Sequence, residues 1–77
     1  MEMRIRLRNV NDAAYFSTKC SEYHEDIDFV CGKYMVDAKS LMGVLSVGLD
    51  RDDCFVCINT QDCEVMHKFK DDMSLWV

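Results

Sequence analysis

The first segment of the chain alternates strictly between apolar and basic residues. Within Met3–Arg8, the apolar residues Ile5 and Leu7 are separated by arginines. Successive side chains of a β-strand point to opposite faces, so this pattern predicts a strand with one buried face and one face in water. Such a strand belongs in an antiparallel sheet, because parallel sheets are covered on both faces. The chain is therefore expected to form a sheet that helices cover on one side only.

The remaining segments switch between helical and strand periodicity. Apolar residues at three- and four-residue spacing, with capping residues before them, predict three helices: over residues 11–23, between Ser40 and Gly48, and from Asp62 to the C-terminus. Short runs of β-forming residues predict three more strands, over residues 26–30, 33–36 and 54–58. The predicted fold is an α+β open-faced sandwich of order β-α-β-β-α-β-α, in which three helices cover one face of a four-stranded antiparallel sheet.

The same patterning assigns side chains to the two faces of the sheet. The core between sheet and helices is predicted to contain Phe16, Ile27, Phe29, Val56, Phe69 and Trp76. The open face is predicted to carry Arg4, Arg6, Arg8, Asp26 and Asp28. We expect the aspartates to balance the arginines in part, because opposite charges on neighbouring strands attract.

Length and charge limit the function. The 77 residues indicate one domain, residues 1–77, with little room for a catalytic cavity, so a small binding or carrier module is favoured over an enzyme. Nine basic against fourteen acidic residues give a net charge of −5, which disfavours nucleic-acid and anionic-membrane binding. No apolar run approaches the roughly 20 residues of a membrane span, and no signal peptide is recognised. The expected location is the cytoplasm.

The five cysteines are expected to be free thiols that pack in the structure. Their number is odd and no secretory signal precedes them, so a disulfide framework is not expected. Cys54 and Cys57 are three residues apart on a predicted strand, so their sulfurs should lie on opposite faces and cannot share a metal ion. We therefore expect no metal site and no cofactor.

One segment carries a specific resemblance. Residues 36–49 contain Lys39-Ser40-Leu41-Met42-Gly43-Val44, which resembles the region around the regulatory serine in the HPr phosphocarrier family of the bacterial sugar phosphotransferase system. The resemblance extends over roughly residues 9–60, and the predicted element order is the order of that family. In the same alignment the phosphate-accepting motif of the family, His-x-Arg-Pro, falls on Asn9–Asp12, where His, Arg and Pro are all absent.

The resemblance implies a regulatory protein in place of a carrier. The chain looks similar to the catabolite-repression type of HPr, which lacks the histidine and keeps the serine. Ser40 is then a candidate phosphoacceptor for an HPr kinase/phosphorylase, and it is also a helix N-cap; the two roles are compatible. The short helix that follows is the partner-docking surface of the family, so Leu41, Met42 and Leu45 are candidate docking residues, with ordinary core packing as the alternative.

Two other functions remain open at this stage. A divergent phosphoryl carrier would need another acceptor, but His24 lies at the wrong end of its helix and His67 lies in the middle of one, where no free N–H groups face a phosphate. A thiol or metal protein is the third hypothesis. The leading prediction is an HPr-like regulatory or adaptor protein without enzymatic activity, whose partner is an HPr kinase/phosphorylase or a transcription regulator.

Overall fold

The computed structural model describes residues 1–77 and consists of a four-stranded sheet and three α-helices. The strands are β1 Glu2–Arg4, β2 Ile27–Cys31, β3 Tyr34–Asp37 and β4 Cys54–Ile58. The helices are α1 Val10–Ser21, α2 Leu41–Ser46 and α3 Cys63–Met73, and a 3₁₀ turn, Ser74–Trp76, follows α3. The sheet has the order β1-β4-β2-β3, and all neighbouring strands are antiparallel. The predicted open-faced sandwich is therefore confirmed.

The helices cover one face of the sheet and enclose the core there. All six residues predicted to meet in this core are buried. Phe16 of α1 is central, because its ring centroid lies 5.4 Å from that of Phe29 on β2 and 5.5 Å from that of Trp76 in the final turn. On the far side of the core, Tyr23 meets Phe69 of α3 edge to face at 5.6 Å. These aromatic contacts join α1 to the sheet and to the final turn, and they join the segment after α1 to α3.

The first strand is shorter than predicted. Ile5 and Leu7 are buried, as their alternation with arginines requires, but the pairing of β1 with β4 ends at Arg4 and is followed only by a hydrogen bond from the Ile5 amide to Cys54 O at 3.2 Å. Beyond that point the backbone finds other partners: Arg6 N donates to Trp76 O at 2.7 Å, and Leu7 O accepts from the Asp50 amide at 2.7 Å. The remainder of the predicted strand is thus held by the final turn and by the loop before β4.

The expectation of five free thiols is wrong, because Cys31 and Cys54 form a disulfide. These residues are direct partners on β2 and β4, with Cα atoms 4.2 Å apart. The Gly32 amide donates to Asp53 O, which makes Cys31 and Cys54 a non-hydrogen-bonded pair, where facing side chains of an antiparallel ladder come closest. Both side chains are buried on the covered face of the sheet. The other cysteines, Cys20, Cys57 and Cys63, are free.

The predicted charge balance on the open face is also wrong. Arg6 pairs with Asp50 at 2.8 Å, and Arg4 donates from Nε to Asp52 O at 3.2 Å with its guanidinium over the Phe55 ring. No arginine pairs with Asp26 or Asp28. The reason is the strand order, since β4 lies between β1 and β2 and separates the two sets of charges.

A polar contact fastens the end of α1 to α3. The Tyr23 hydroxyl donates to Asp72 Oδ2 at 2.5 Å, and Lys68 Nζ lies 2.9 Å from the same oxygen and 4.5 Å from the centre of the tyrosine ring. Burial alone raises the pKa of Asp72, but the hydrogen bonds from Tyr23 and Lys68 outweigh it and hold that pKa below its usual value. The contact therefore stabilises the fold only while Asp72 is ionised.

We predict that Asp72→Asn destabilises the protein by about 1–2 kcal/mol at pH 7, since a hydrogen-bonded carboxylate is lost. The pKa of Asp72 is lower in the folded state than in the unfolded state. The contribution of Asp72 to folding stability is therefore fully present above its unfolded-state pKa of about 4 and is lost as the pH falls through its folded-state pKa. Urea denaturation at pH 7 and below pH 4 measures this. Asp71→Asn, an exposed neighbour on the same helix, is the control. A cost of Asp72→Asn that did not change with pH would contradict the prediction.

None of the helices is long and apolar enough to cross a membrane.

Candidate functional site

Ser40 caps α2, as the sequence predicts. Its backbone is extended, and its Oγ accepts a hydrogen bond from the Gly43 amide at 3.2 Å. Its carbonyl accepts from the Val44 amide at 3.0 Å, which is the first hydrogen bond of the helix. The residue as a whole is exposed. Ser40 is thus a structural cap at the surface of the protein.

The loop before Ser40 is anchored at several points. The Ser40 amide donates to Asp37 O at 3.0 Å, and Asp37 Oδ1 accepts from the Lys39 amide at 2.9 Å. The Lys39 ammonium donates to Tyr23 O at 2.7 Å, beyond the end of α1. This last contact fixes the start of α2 relative to α1. The spacing of residues in the sequence gave no signal for it.

A glycine and an arginine terminate the C-terminal end of α2. Gly48 follows the helix with φ +94°, a conformation that favours glycine, as the sequence predicts for the residue after the cap. Arg51 donates a hydrogen bond to Val47 O at 2.9 Å and one to each carboxylate oxygen of Asp53, at 2.8 and 2.6 Å. These hydrogen bonds lower the pKa of Asp53. The short helix is therefore held in one position at both ends.

The three candidate docking residues differ in exposure. Met42 is 80% exposed and Leu41 is 36% exposed, whereas Leu45 is half-buried and packs against the core. Val44, on the side of the helix opposite Met42, is fully buried. A helix of six residues rests on the core through one side only, so Met42 lies on the solvent side, and Leu41, on the same side as Val44 but in the first turn, remains partly exposed next to Ser40. We call Ser40, Leu41, Met42 and Leu45 the α2 surface.

The N-terminus of α1, where the resemblance places the phosphate-accepting motif, is occupied by the side chains of the chain itself. Asn9 Oδ1 accepts from the Asp12 amide at 2.8 Å, and Asp12 Oδ2 accepts from the Arg8 amide at 3.0 Å. A phosphoryl group bound here would meet the positive end of the helix dipole, but the Asp12 carboxylate already lies in that field. The hydrogen bond from the Arg8 amide to Asp12 is seen only in the structure.

Neither histidine takes the place of the missing acceptor. His24 is exposed beyond the last residue of α1, at the negative end of its dipole. His67 is exposed in the middle of α3, where the backbone amides are used within the helix. Neither accepts or donates a side-chain hydrogen bond. Both positions agree with those predicted.

The cysteines form no metal-binding cluster. Cys54 is buried on the covered face and Cys57 lies on the open face of the same strand, so the predicted divergence of this pair is confirmed. No three Cys, His, Asp or Glu side chains lie close enough together to hold a metal ion. Burial raises the pKa of the Cys20 thiol to about 12, so this thiol stays protonated and unreactive.

No protein-family model matches the sequence, and no curated protein matches it either. Solved structures do match. HPr-C-His from Thermoanaerobacter tengcongensis is 24% identical over 94% of this chain and 85% of its own, with a TM-score of 0.71. The phosphocarrier protein HPr from Bacillus anthracis str. Ames is 20% identical over all of this chain and 96% of its own, with a TM-score of 0.73.

A third structure, the histidine-containing phosphocarrier protein of Mycoplasma, is 12% identical over 95% of this chain and 91% of its own, with a TM-score of 0.72. Similarity at these identities establishes the fold and extends over nearly the full length of each structure. The open-faced sandwich of this chain is accordingly the fold of HPr phosphocarrier proteins.

Proposed function

We propose that this chain is an HPr-like regulatory or adaptor protein that binds a protein partner through the α2 surface and carries no phosphohistidine. The observation that carries the proposal is a contrast between the two helix ends. Asn9–Asp12, at the start of α1, contains no His, Arg or Pro and carries the Asp12 carboxylate, whereas the start of α2 has an exposed serine beside exposed apolar side chains. A phosphocarrier protein of the same fold is described as histidine-containing, whereas Asn9–Asp12 of this chain contains no histidine.

Phosphorylation of Ser40 is the proposed switch. A phosphate on the Ser40 oxygen adds a charge of about −1.5 to −2 directly beside Leu41 and Met42. That charge opposes a partner whose apolar surface covers the α2 surface, and it favours a partner that brings an arginine. Because Ser40 is exposed and held by the anchored loop, a kinase can reach its hydroxyl without unfolding α2.

Labelling with γ-phosphate-labelled ATP and an HPr kinase/phosphorylase tests the switch. We expect acid-stable label on the wild-type chain and background label on Ser40→Asn, because asparagine keeps the N-cap but offers no hydroxyl. Ser46→Ala is the control, since Ser46 lies on the same helix and its hydroxyl donates to Gly43 O at 2.6 Å. Unchanged labelling of Ser40→Asn would exclude Ser40 as the acceptor.

The same assay tests docking and the alternative function. Met42→Gln should lower kcat/KM for phosphorylation about tenfold, as expected for an exposed apolar contact at an interface, whereas Leu75→Gln, at an exposed site on the final turn, should leave it unchanged.

Incubation with phosphoenolpyruvate and the first enzyme of the phosphotransferase system should give no label. Stoichiometric acid-labile label would instead support a divergent phosphoryl carrier.

A further inference from the structure

The open face of the sheet carries two parallel rows of side chains, each with one residue from every strand. The register places Arg4, Phe55, Val30 and Met35 side by side across β1, β4, β2 and β3. We call these four residues the apolar row. Phe55 and Val30 are half-buried and Met35 is 68% exposed, so a nearly continuous apolar strip lies open to solvent. The Arg4 guanidinium lies over the Phe55 ring at one end of it.

The second row lies two residues along each strand, about 7 Å from the first. It consists of Glu2, Cys57, Asp28 and Asp37, and we call it the acidic row. The Cys57 thiol contributes no charge, because burial and its contact with Glu2 raise its pKa. The row therefore places three negative charges beside the apolar strip.

The acidic row forms no ion pair within the protein, and the positive charge near its β1 end is the N-terminal ammonium, which donates to Ile58 O at 3.3 Å. The four ion pairs of the chain are Arg6 with Asp50, Lys19 with Glu22, Arg51 with Asp53, and Lys68 with Asp72. None includes a member of the row. Asp28 and Asp37 stand directly opposite each other on β2 and β3, an arrangement of like charges that costs stability. A cationic surface laid over this row would relieve the repulsion.

We propose that the open face binds an amphipathic helix of a protein partner, with an apolar stripe over the apolar row and a flank of lysines or arginines over the acidic row. The geometry fits a helix, because four strands at about 4.8 Å spacing give rows about 14 Å long, which ten helical residues cover. Helices already cover the opposite face of this sheet. Arg4, at the β1 end, sets the direction by favouring an acidic residue at that end of the partner helix.

A second copy of this chain fits less well, since its own acidic row would add three more negative charges to the interface. The proposed surface is also separate from the α2 surface, which lies on the covered side of the sheet. Binding of a helix here would leave Ser40, Leu41 and Met42 free. The protein could then link two partners at once, which is the action of an adaptor.

A synthetic peptide tests the proposal. The probe is a labelled 14-residue helix of leucine, lysine and alanine, with leucines spaced i, i+3, i+4 and i+7 and lysines at i+1, i+5, i+8 and i+12, which places them along one flank. We expect fluorescence anisotropy to show saturable binding that weakens as salt is added, and nuclear magnetic resonance shifts confined to the amides of the open face. A peptide with glutamate in place of lysine should not bind.

Matched variants separate this surface from general attraction to an acidic protein. Asp28→Asn/Asp37→Asn and Glu64→Gln/Asp71→Asn each change the net charge from −5 to −5 + 2 = −3. We expect the first pair to weaken peptide binding at least fivefold and the second pair, on the outer side of α3, less than twofold. Likewise Met35→Gln should weaken binding at least threefold, and Leu75→Gln, at 60% exposure, should not.

The proposal would be overturned if the two double variants weakened peptide binding equally. It would also be overturned if the nuclear magnetic resonance shifts were centred on the α2 surface. Sedimentation at high protein concentration tests whether a second copy of the chain binds the open face. A dimer that dissociates when Met35→Gln is introduced would assign the face to a second copy and would also overturn the proposal. A failure of phosphorylation at Ser40 leaves these results unaffected, because the two surfaces lie on opposite sides of the sheet.

Discussion

Replacing Phe16 with alanine should cost about 3–5 kcal/mol of folding stability, the range measured when a fully buried aromatic side chain is removed. The Phe16 ring is inaccessible to solvent and contacts the rings of Phe29 and Trp76, so its loss leaves a cavity where α1, the sheet and the final turn meet. A domain of this length has a total stability of about 4–12 kcal/mol. The variant should therefore lose at least about a quarter of its stability, and at the lower end of this range it would be largely unfolded at 25 °C.

Urea denaturation followed by far-ultraviolet circular dichroism measures this loss. Phe16→Leu keeps most of the buried volume and should remain folded at a smaller cost, which preserves the comparison if the alanine variant does not fold. Tyr15→Ala is the matched control, because Tyr15 is the preceding residue on α1 and is 53% exposed. It should cost about 1 kcal/mol or less. If Tyr15→Ala and Phe16→Ala lowered the free energy of unfolding by the same amount, Phe16 would not be a core residue.

Periodicity predicted the fold well, because hydrophobic burial selects both the elements and the faces that they bury. Alternation in the first strand assigned Ile5 and Leu7 to the core before any partner strand was known, and helical spacing did the same for Phe16 and Phe69. Capping residues marked the ends of α2 for a similarly local reason: Ser40 accepts from an amide three residues away. Features determined by neighbouring residues were predictable.

Features that depend on strand order and register were not predictable in this way. Asp28 does not balance an arginine because β4 separates β2 from β1, and this order follows from how the whole chain packs. The two rows of the open face have the same origin, since each combines residues from all four strands. For the candidate site, the absent His-x-Arg-Pro was visible in the sequence, but the hydrogen bond from the Arg8 amide to Asp12 was not.

The disulfide shows the same limit most plainly. The odd number of cysteines predicted free thiols, yet five cysteines leave room for one or two pairs. Cys31 and Cys54 are 23 residues apart, and nothing at that spacing marks them as partners. They meet because β2 and β4 are neighbours in a register that places both side chains on the covered face.

Reduction of the Cys31–Cys54 disulfide should destabilise the protein by about 3 kcal/mol, because a cross-link that closes a loop of 23 residues restricts the unfolded chain. For a domain of this size the melting temperature should fall by roughly 15 °C. Thermal denaturation with and without a phosphine reductant measures the effect, and thiol titration of the denatured protein should find three free thiols before reduction and five after it. Cys63→Ser, at an exposed free cysteine, should leave both the melting temperature and its response to reductant unchanged. Identical melting curves in the two conditions, or five thiols before reduction, would show that the pair is not linked. In that case the backbone hydrogen bonds of the ladder and the packing of the covered face would hold β2 against β4.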